Sequence, residues 1–114
     1  MDARRRGSED PQAVKVYDIL AKVFAQEGVK TCFALLGDAN MNWAARLAEQ
    51  GCRMIYVRHE HCALASAMAY ARKTGEIGVA TVTCGPGVTQ LTTALPAAVG
   101  AHQPRIGVGG EAPV

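Results

Sequence analysis

Paired cysteine motifs, metal-ligand spacings, long apolar runs and a dominant charge are all missing from this 114-residue sequence. Cys32, Cys52, Cys62 and Cys84 form no CxxC pair, so neither a zinc site nor a disulfide framework is read from them. A reducing, cytoplasmic setting is expected, with the thiols serving as small buried apolar groups. No apolar stretch is long enough to span a bilayer, and no apolar segment of a secretory signal follows the early positive charge. The formal net charge is only +2. Much of it lies in Arg4, Arg5 and Arg6, within a polar leader over residues 1–10. No second basic cluster with interleaved aromatics supports that run as a nucleic-acid arm, and a disordered, solvated leader is the simpler reading. Neither a nucleic acid nor a membrane is expected as a partner. What remains is a globular balance of 49% hydrophobic and 19% charged residues, long enough for one domain over residues 11–114.

Hydrophobic spacing divides that domain into alternating helices and strands. Val16, Ile19, Leu20, Val23 and Phe24 recur at helical spacing between Gln12 and Gly28, one apolar stripe. Asp10 and Pro11 supply a cap and first turn. A buried strand is expected over Cys32–Leu36, then a turn at Gly37-Asp38. A helix follows over Asn40–Gln50, a strand over Arg53–Val57, and an Ala-rich helix over Glu60–Lys73. Ile77–Thr83 is a third strand and Gly85-Pro86-Gly87 breaks the chain. A helix over Thr89–Gly100, bent or ended by Pro96, precedes a last strand over Arg105–Val108. The strands read as continuous apolar runs, as when both faces are covered. The expected fold is a three-layer α/β/α domain with a parallel, Rossmann-like sheet, incomplete at its C-terminus.

Such sheets bind ligands at the carboxyl ends of their strands. Gly37-Asp38, His59-Glu60 and Gly85-Pro86-Gly87 all fall there, distant in sequence and neighbours in space. Each has a plainer reading. Asp38 serves equally as a turn or cap residue. Glu60 at a helix start complements the helix dipole. The glycine loop is neither a Walker loop nor a dinucleotide fingerprint, since Gln90 stands where glycine or alanine is required. Within His59-Glu60-His61-Cys62, adjacent residues and residues two apart do not share a helix face, which argues against one metal held by that run.

Val57-Arg58-His59-Glu60, with Ala67, Tyr70-Ala71-Arg72 and Thr74-Gly75, forms a pattern. So does Thr83-Cys84-Gly85-Pro86-Gly87-Val88-Thr89-Gln90, and so do Gly28-Val29, Phe33 and Gly37-Asp38-Ala39-Asn40 upstream. Together they resemble the pyrimidine-binding, N-terminal domain of the thiamine-diphosphate enzymes of the acetolactate synthase, pyruvate oxidase and benzoylformate decarboxylase type, over about Pro11 to Gly110. The resemblance implies thiamine diphosphate as cofactor and a 2-keto acid as substrate. Glu60 matches the glutamate that hydrogen-bonds N1′ of the aminopyrimidine, a contact that favours the imino tautomer whose 4′-nitrogen takes the C2 proton. Gly37, Thr83, Pro86 and Gln90 match positions around the pyrimidine. Asp38 matches an acidic residue that some family decarboxylases use for proton transfer.

His61, Ala69, Gln90 and Leu35-Leu36 depart from the residues common in the family. The diphosphate-binding domain, with its Gly-Asp-Gly and Asn metal motif, is not in this sequence. Mg²⁺ and the diphosphate are therefore expected on a partner or a missing domain. A second copy or a diphosphate-binding subunit is the expected partner, and a homo-oligomer the expected assembly. The small-residue face of the helix from Glu60 is expected to meet another helix. The competing reading is a non-catalytic α/β dimerisation domain, a relic of the same family.

Overall fold

A computed structural model describes the backbone of residues 15–92, Pro96 and 105–109, and the side chains of 15–92 and Pro96. The leader, the Asp10-Pro11 cap and most of the expected helix beyond Thr92 lie outside the described residues. The elements are α1 (Val16–Gln26), β1 (Thr31–Ala34), α2 (Met41–Glu49), β2 (Arg53–Tyr56), α3 (Glu60–Thr74), β3 (Gly78–Val82), α4 (Pro86–Leu91) and β4 (Arg105–Gly109). Among the described residues the sheet has four strands in the order β2-β1-β3-β4, all neighbours parallel. Phe33 stands beside Ile55 on one side and Ala80 on the other.

Alternate residues of each strand point to opposite faces, and each face has its own core. Cys32 and Val79 meet Ala21, Trp43, Ala44 and Leu47 of α1 and α2. Phe33, Ala80 and Val82 meet Ala63, Leu64 and Ala67 of α3 and Leu91 of α4. The three-layer α/β/α arrangement with a parallel sheet follows directly. The two central strands are buried at every position, whereas the edge strand β2 exposes Arg53 and Tyr56. Full cover of both faces thus holds for β1 and β3 and not for β2, which has a neighbour on one side only.

Three further expectations change. Of the expected apolar stripe of α1 only Phe24 faces the core: Val16 is 79% exposed and Ile19 50%, with Leu20 and Val23 also exposed. The core side is instead Tyr17, Ala21 and Phe24, where Phe24 meets Trp43 edge-on at 5.3 Å. The small residues of α3 are used only in part within the chain, since Cys62 and Ala69 are exposed and Ala65 and Ser66 half-buried. Ala63, Ala67 and Ala71 are buried there, and α3 lies so close to β3 that a methyl at Gly78 would stand 2.1 Å from the Ala67 carbonyl oxygen. Only Cys32 and Cys52 are buried thiols; Cys62 is exposed and Cys84 half-buried. Burial pushes the Cys32 thiol up to about 12, with nearby Cys52 adding to the rise.

Finally, α4 starts at Pro86 rather than Thr89. Gly85 caps it at φ 65°, a left-handed value that favours glycine, and Pro86 takes the first turn, where a missing N–H costs nothing. At the amino end of the sheet, Glu76 accepts from the Tyr70 hydroxyl at 2.6 Å and from Lys30 at 3.0 Å. Those two bonds hold its carboxyl below the ordinary range. This network lies at the opposite end of the strands from the glycine loops. Among the described residues, no helix is long and apolar enough to cross a membrane.

Candidate functional site at the carboxyl ends of β1 and β3

The chain runs from β1 outward to β2 and then returns across β1 to β3. The sheet order therefore reverses between β1 and β3, where open α/β sheets form a ligand crevice. Gly37 and Thr83 follow these two strands and are in direct contact. A methyl at Gly37 would stand 2.5 Å from Thr83 Oγ1. The loop after β1 is thus pressed onto the end of β3, with glycine leaving the room.

Glu60 reaches the same crevice from the first turn of α3. His59 occupies the N-cap in extended conformation, and its Nδ1 accepts from the His61 N–H at 3.0 Å. That imidazole satisfies one of the free amides of the helix start, which no sequence signal had pointed to. It leaves the Glu60 side chain uncommitted. Glu60 is half-buried, and no hydrogen bond or ion pair ties its carboxylate among the described residues. A methyl added at Gly87 would sit 3.6 Å from Glu60 Oε2, 3.5 Å from Thr83 Cγ2 and 3.6 Å from the Val82 side chain. Gly87 therefore leaves a gap one methyl wide, walled by a carboxylate oxygen on one side and apolar carbon on the other.

A carboxylate oxygen and apolar carbon thus face the same small space. A carboxylate without a partner among the described residues, set beside apolar carbon, is the hydrogen-bonding chemistry that the aminopyrimidine half of thiamine diphosphate calls for. The structure brings Gly37, Glu60, Thr83 and Gly87 together. Pro86 and Gln90 lie on α4 with exposed side chains. Asp38 is exposed on the loop after β1, and no hydrogen bond among the described residues fixes its carboxylate. Exposed apolar side chains Leu36, Met41, Tyr56 and Val88 belong to the elements at this end of the sheet. Among the described residues, no three His, Cys, Asp or Glu side chains are placed to hold a metal ion.

Asn40 has a role beyond starting a helix. The residue is 3% exposed, and its side chain is bonded to three neighbours, described below. The asparagine was visible in the sequence; its partner Thr81, 41 residues away, was not.

A family model described as "Thiamine pyrophosphate enzyme, N-terminal TPP binding domain" matches residues 14–114. A 2-hydroxyacyl-CoA lyase 2 of Danio rerio is 39% identical over 93 residues, covering 82% of this chain and 15% of the relative. An acetolactate synthase of Arabidopsis thaliana chloroplasts is 34% identical over 103 residues, covering 90% and 15%. A probable acetolactate synthase large subunit of Methanocaldococcus jannaschii is 34% identical over 100 residues, covering 88% and 17%. The chain thus spans 15–17% of the length of these three relatives.

Proposed function

This chain belongs to the thiamine pyrophosphate enzymes, as an N-terminal TPP-binding domain, and from that membership we propose that it forms the pyrimidine half of a site acting on 2-keto acids. Glu60 is the cofactor-activating residue. The observation that carries the reading is its half-buried carboxylate, without a partner among the described residues, beside the gap at Gly87.

In this reading Glu60 holds a proton against N1′ of the aminopyrimidine. A half-buried carboxyl group without another partner among the described residues is placed to hydrogen-bond a ring nitrogen. Val82, Thr83 and Gly87 bound the ring, and Pro86 and Gln90 line the approach from α4. Gly37 closes the crevice from the β1 side, and Asp38 stands on that loop as the proton-transfer group. Thiamine diphosphate, when bound, supplies the electron sink for decarboxylation or carboligation. Mg²⁺ and the diphosphate are held by a further domain or a partner subunit. The chain's small share of its relatives' length supports that division.

A second reading, a non-catalytic dimerisation domain, is favoured by the exposed apolar stripe of α1. Calorimetric titration separates the two. The chain, joined with a diphosphate-binding partner, is titrated with thiamine diphosphate and Mg²⁺, alongside Glu60→Gln. Saturable binding that weakens in the variant supports the cofactor reading. Absence of binding in every such assembly supports the dimerisation domain.

A further inference from the structure

Asn40 stands at the N-cap of α2, yet its side chain makes no cap hydrogen bond. Capping is the ordinary use of asparagine at this position and stabilises a helix start. Here the carboxamide turns away from the helix. Its Oδ1 accepts from the Gly37 N–H at 2.8 Å. Its Nδ2 donates to the Leu35 carbonyl at 3.3 Å and to Thr81 Oγ1 at 3.1 Å. One buried side chain thus ties the end of β1, the following loop and β3. The orientation of the amide is fixed by chemistry, because an N–H lies on one side and a carbonyl on the other.

The same loop is pressed against Thr83 at Gly37, and Thr83 walls the gap beside Glu60. The linkage runs Asn40 to Gly37 to Thr83, and Asp38 is the next residue on the held loop. A helix cap would satisfy only the local amides of α2. The network seen instead sets how far the loop after β1 stands from the end of β3.

We propose that Asn40 is a positioning residue, which holds the Gly37-Asp38 loop over the crevice and so places Asp38 relative to Glu60. This rests on the cofactor reading for its functional meaning, and its structural part is testable without cofactor. Amide hydrogen exchange is followed by NMR on the full chain, for wild type, Asn40→Ala and Thr81→Val. The Gly37 amide is expected to exchange about 10-fold faster in Asn40→Ala, the scale of one lost hydrogen bond, while the Val79 and Ala80 amides of β3 keep their protection. Thr81→Val removes the remote acceptor and leaves the Asn40 carboxamide in place, and is expected to speed the same loop amide by a smaller factor. It also serves if Asn40→Ala does not fold. Equal acceleration of the loop and β3 would overturn the proposal, because Asn40 would then be ordinary core; no acceleration at Gly37 overturns it too.

In the assembly with a diphosphate-binding partner, Asn40→Ala is expected to lower kcat for 2-keto acid turnover by about 10- to 100-fold with KM within twofold, as for a misplaced proton-transfer group. A raised KM with kcat unchanged overturns the proposal. Exchange is read without cofactor, so a failure of the cofactor reading leaves the loop result standing, and the reverse holds.

Discussion

Gly78→Ala is the substitution whose cost follows most directly from the packing of α3 on β3. The added methyl would stand 2.1 Å from the Ala67 carbonyl oxygen and 2.8 Å from its carbon. Ordinary contact begins near 3.4 Å, so helix and strand must separate by about 1.3 Å. No rotamer change relieves the clash, because the atoms struck are backbone. Truncation of the Ala67 side chain to glycine would not relieve it either. Separation also opens the layer formed by Ala63, Leu64, Ala67 and Ala71, all buried on α3. Overpacking of a filled core costs about 1–3 kcal/mol, and a backbone collision belongs at the upper end. We therefore expect a loss of about 3 kcal/mol, a large share of the roughly 5–15 kcal/mol available to a domain. Urea unfolding followed by circular dichroism reads it as a lower midpoint at unchanged slope. The melting temperature should fall by roughly 12–24 °C, from about 4–8 °C per kcal/mol at this size. A variant within about 0.5 kcal/mol of wild type, the ordinary range for surface substitutions, would refute the close approach of α3 and β3.

Two other outcomes are expected. The Cys32 thiol is raised in the folded chain to about 12 from 9.0 by burial. The unfolded thiol ionises first as pH rises, so its stabilising contribution is complete below about pH 9 and is lost between there and about 12. Stability measured across that window should fall by up to about 1.4 kcal/mol per pH unit from this group, and Cys32→Ala should remove that part of the slope; identical slopes would contradict the burial of Cys32. The α1 stripe gives a surface prediction: sedimentation of the wild-type chain should show self-association, which Ile19→Lys with Val23→Glu should reduce while the circular dichroism spectrum stays unchanged. A monodisperse wild-type monomer would show that the stripe drives no self-association.

Much of the fold was legible because its signals are local. Apolar runs of four or five residues separated by glycine turns announced β1, β2 and β3, and the alternation with helices announced a parallel sheet. The stripe of α1 misled for a physical reason. Two apolar sets, Val16/Ile19/Leu20/Val23 and Tyr17/Ala21, share one helical period, and Phe24 fits the spacing of both. The edge-on contact of Phe24 with Trp43 selects the second set, and such tertiary choices leave no mark on spacing. The alanines of α3 likewise fit either a helix partner or a close strand, and Gly78 decides for the strand.

At the site, the strand-end positions of Gly37, Glu60 and Gly87 could be read from the alternation alone. The gap beside Glu60 could not, since it is made by an absent side chain at Gly87 and by Thr83 from another strand. The Asn40 network was hidden because its bond to Thr81 joins two strands through a loop. The His59 imidazole was hidden because histidine is not among the favoured N-cap residues.

The central claim is that Glu60 activates the aminopyrimidine. Exchange of the C2 proton of thiamine diphosphate for deuterium, followed by proton NMR, tests it most directly. The measurement uses the chain assembled with a diphosphate-binding partner and Mg²⁺. The wild-type assembly should accelerate exchange, and Glu60→Gln should slow it by about 100-fold or more, the scale of positioned proton transfer. Equal exchange rates in wild type and Glu60→Gln would contradict the claim.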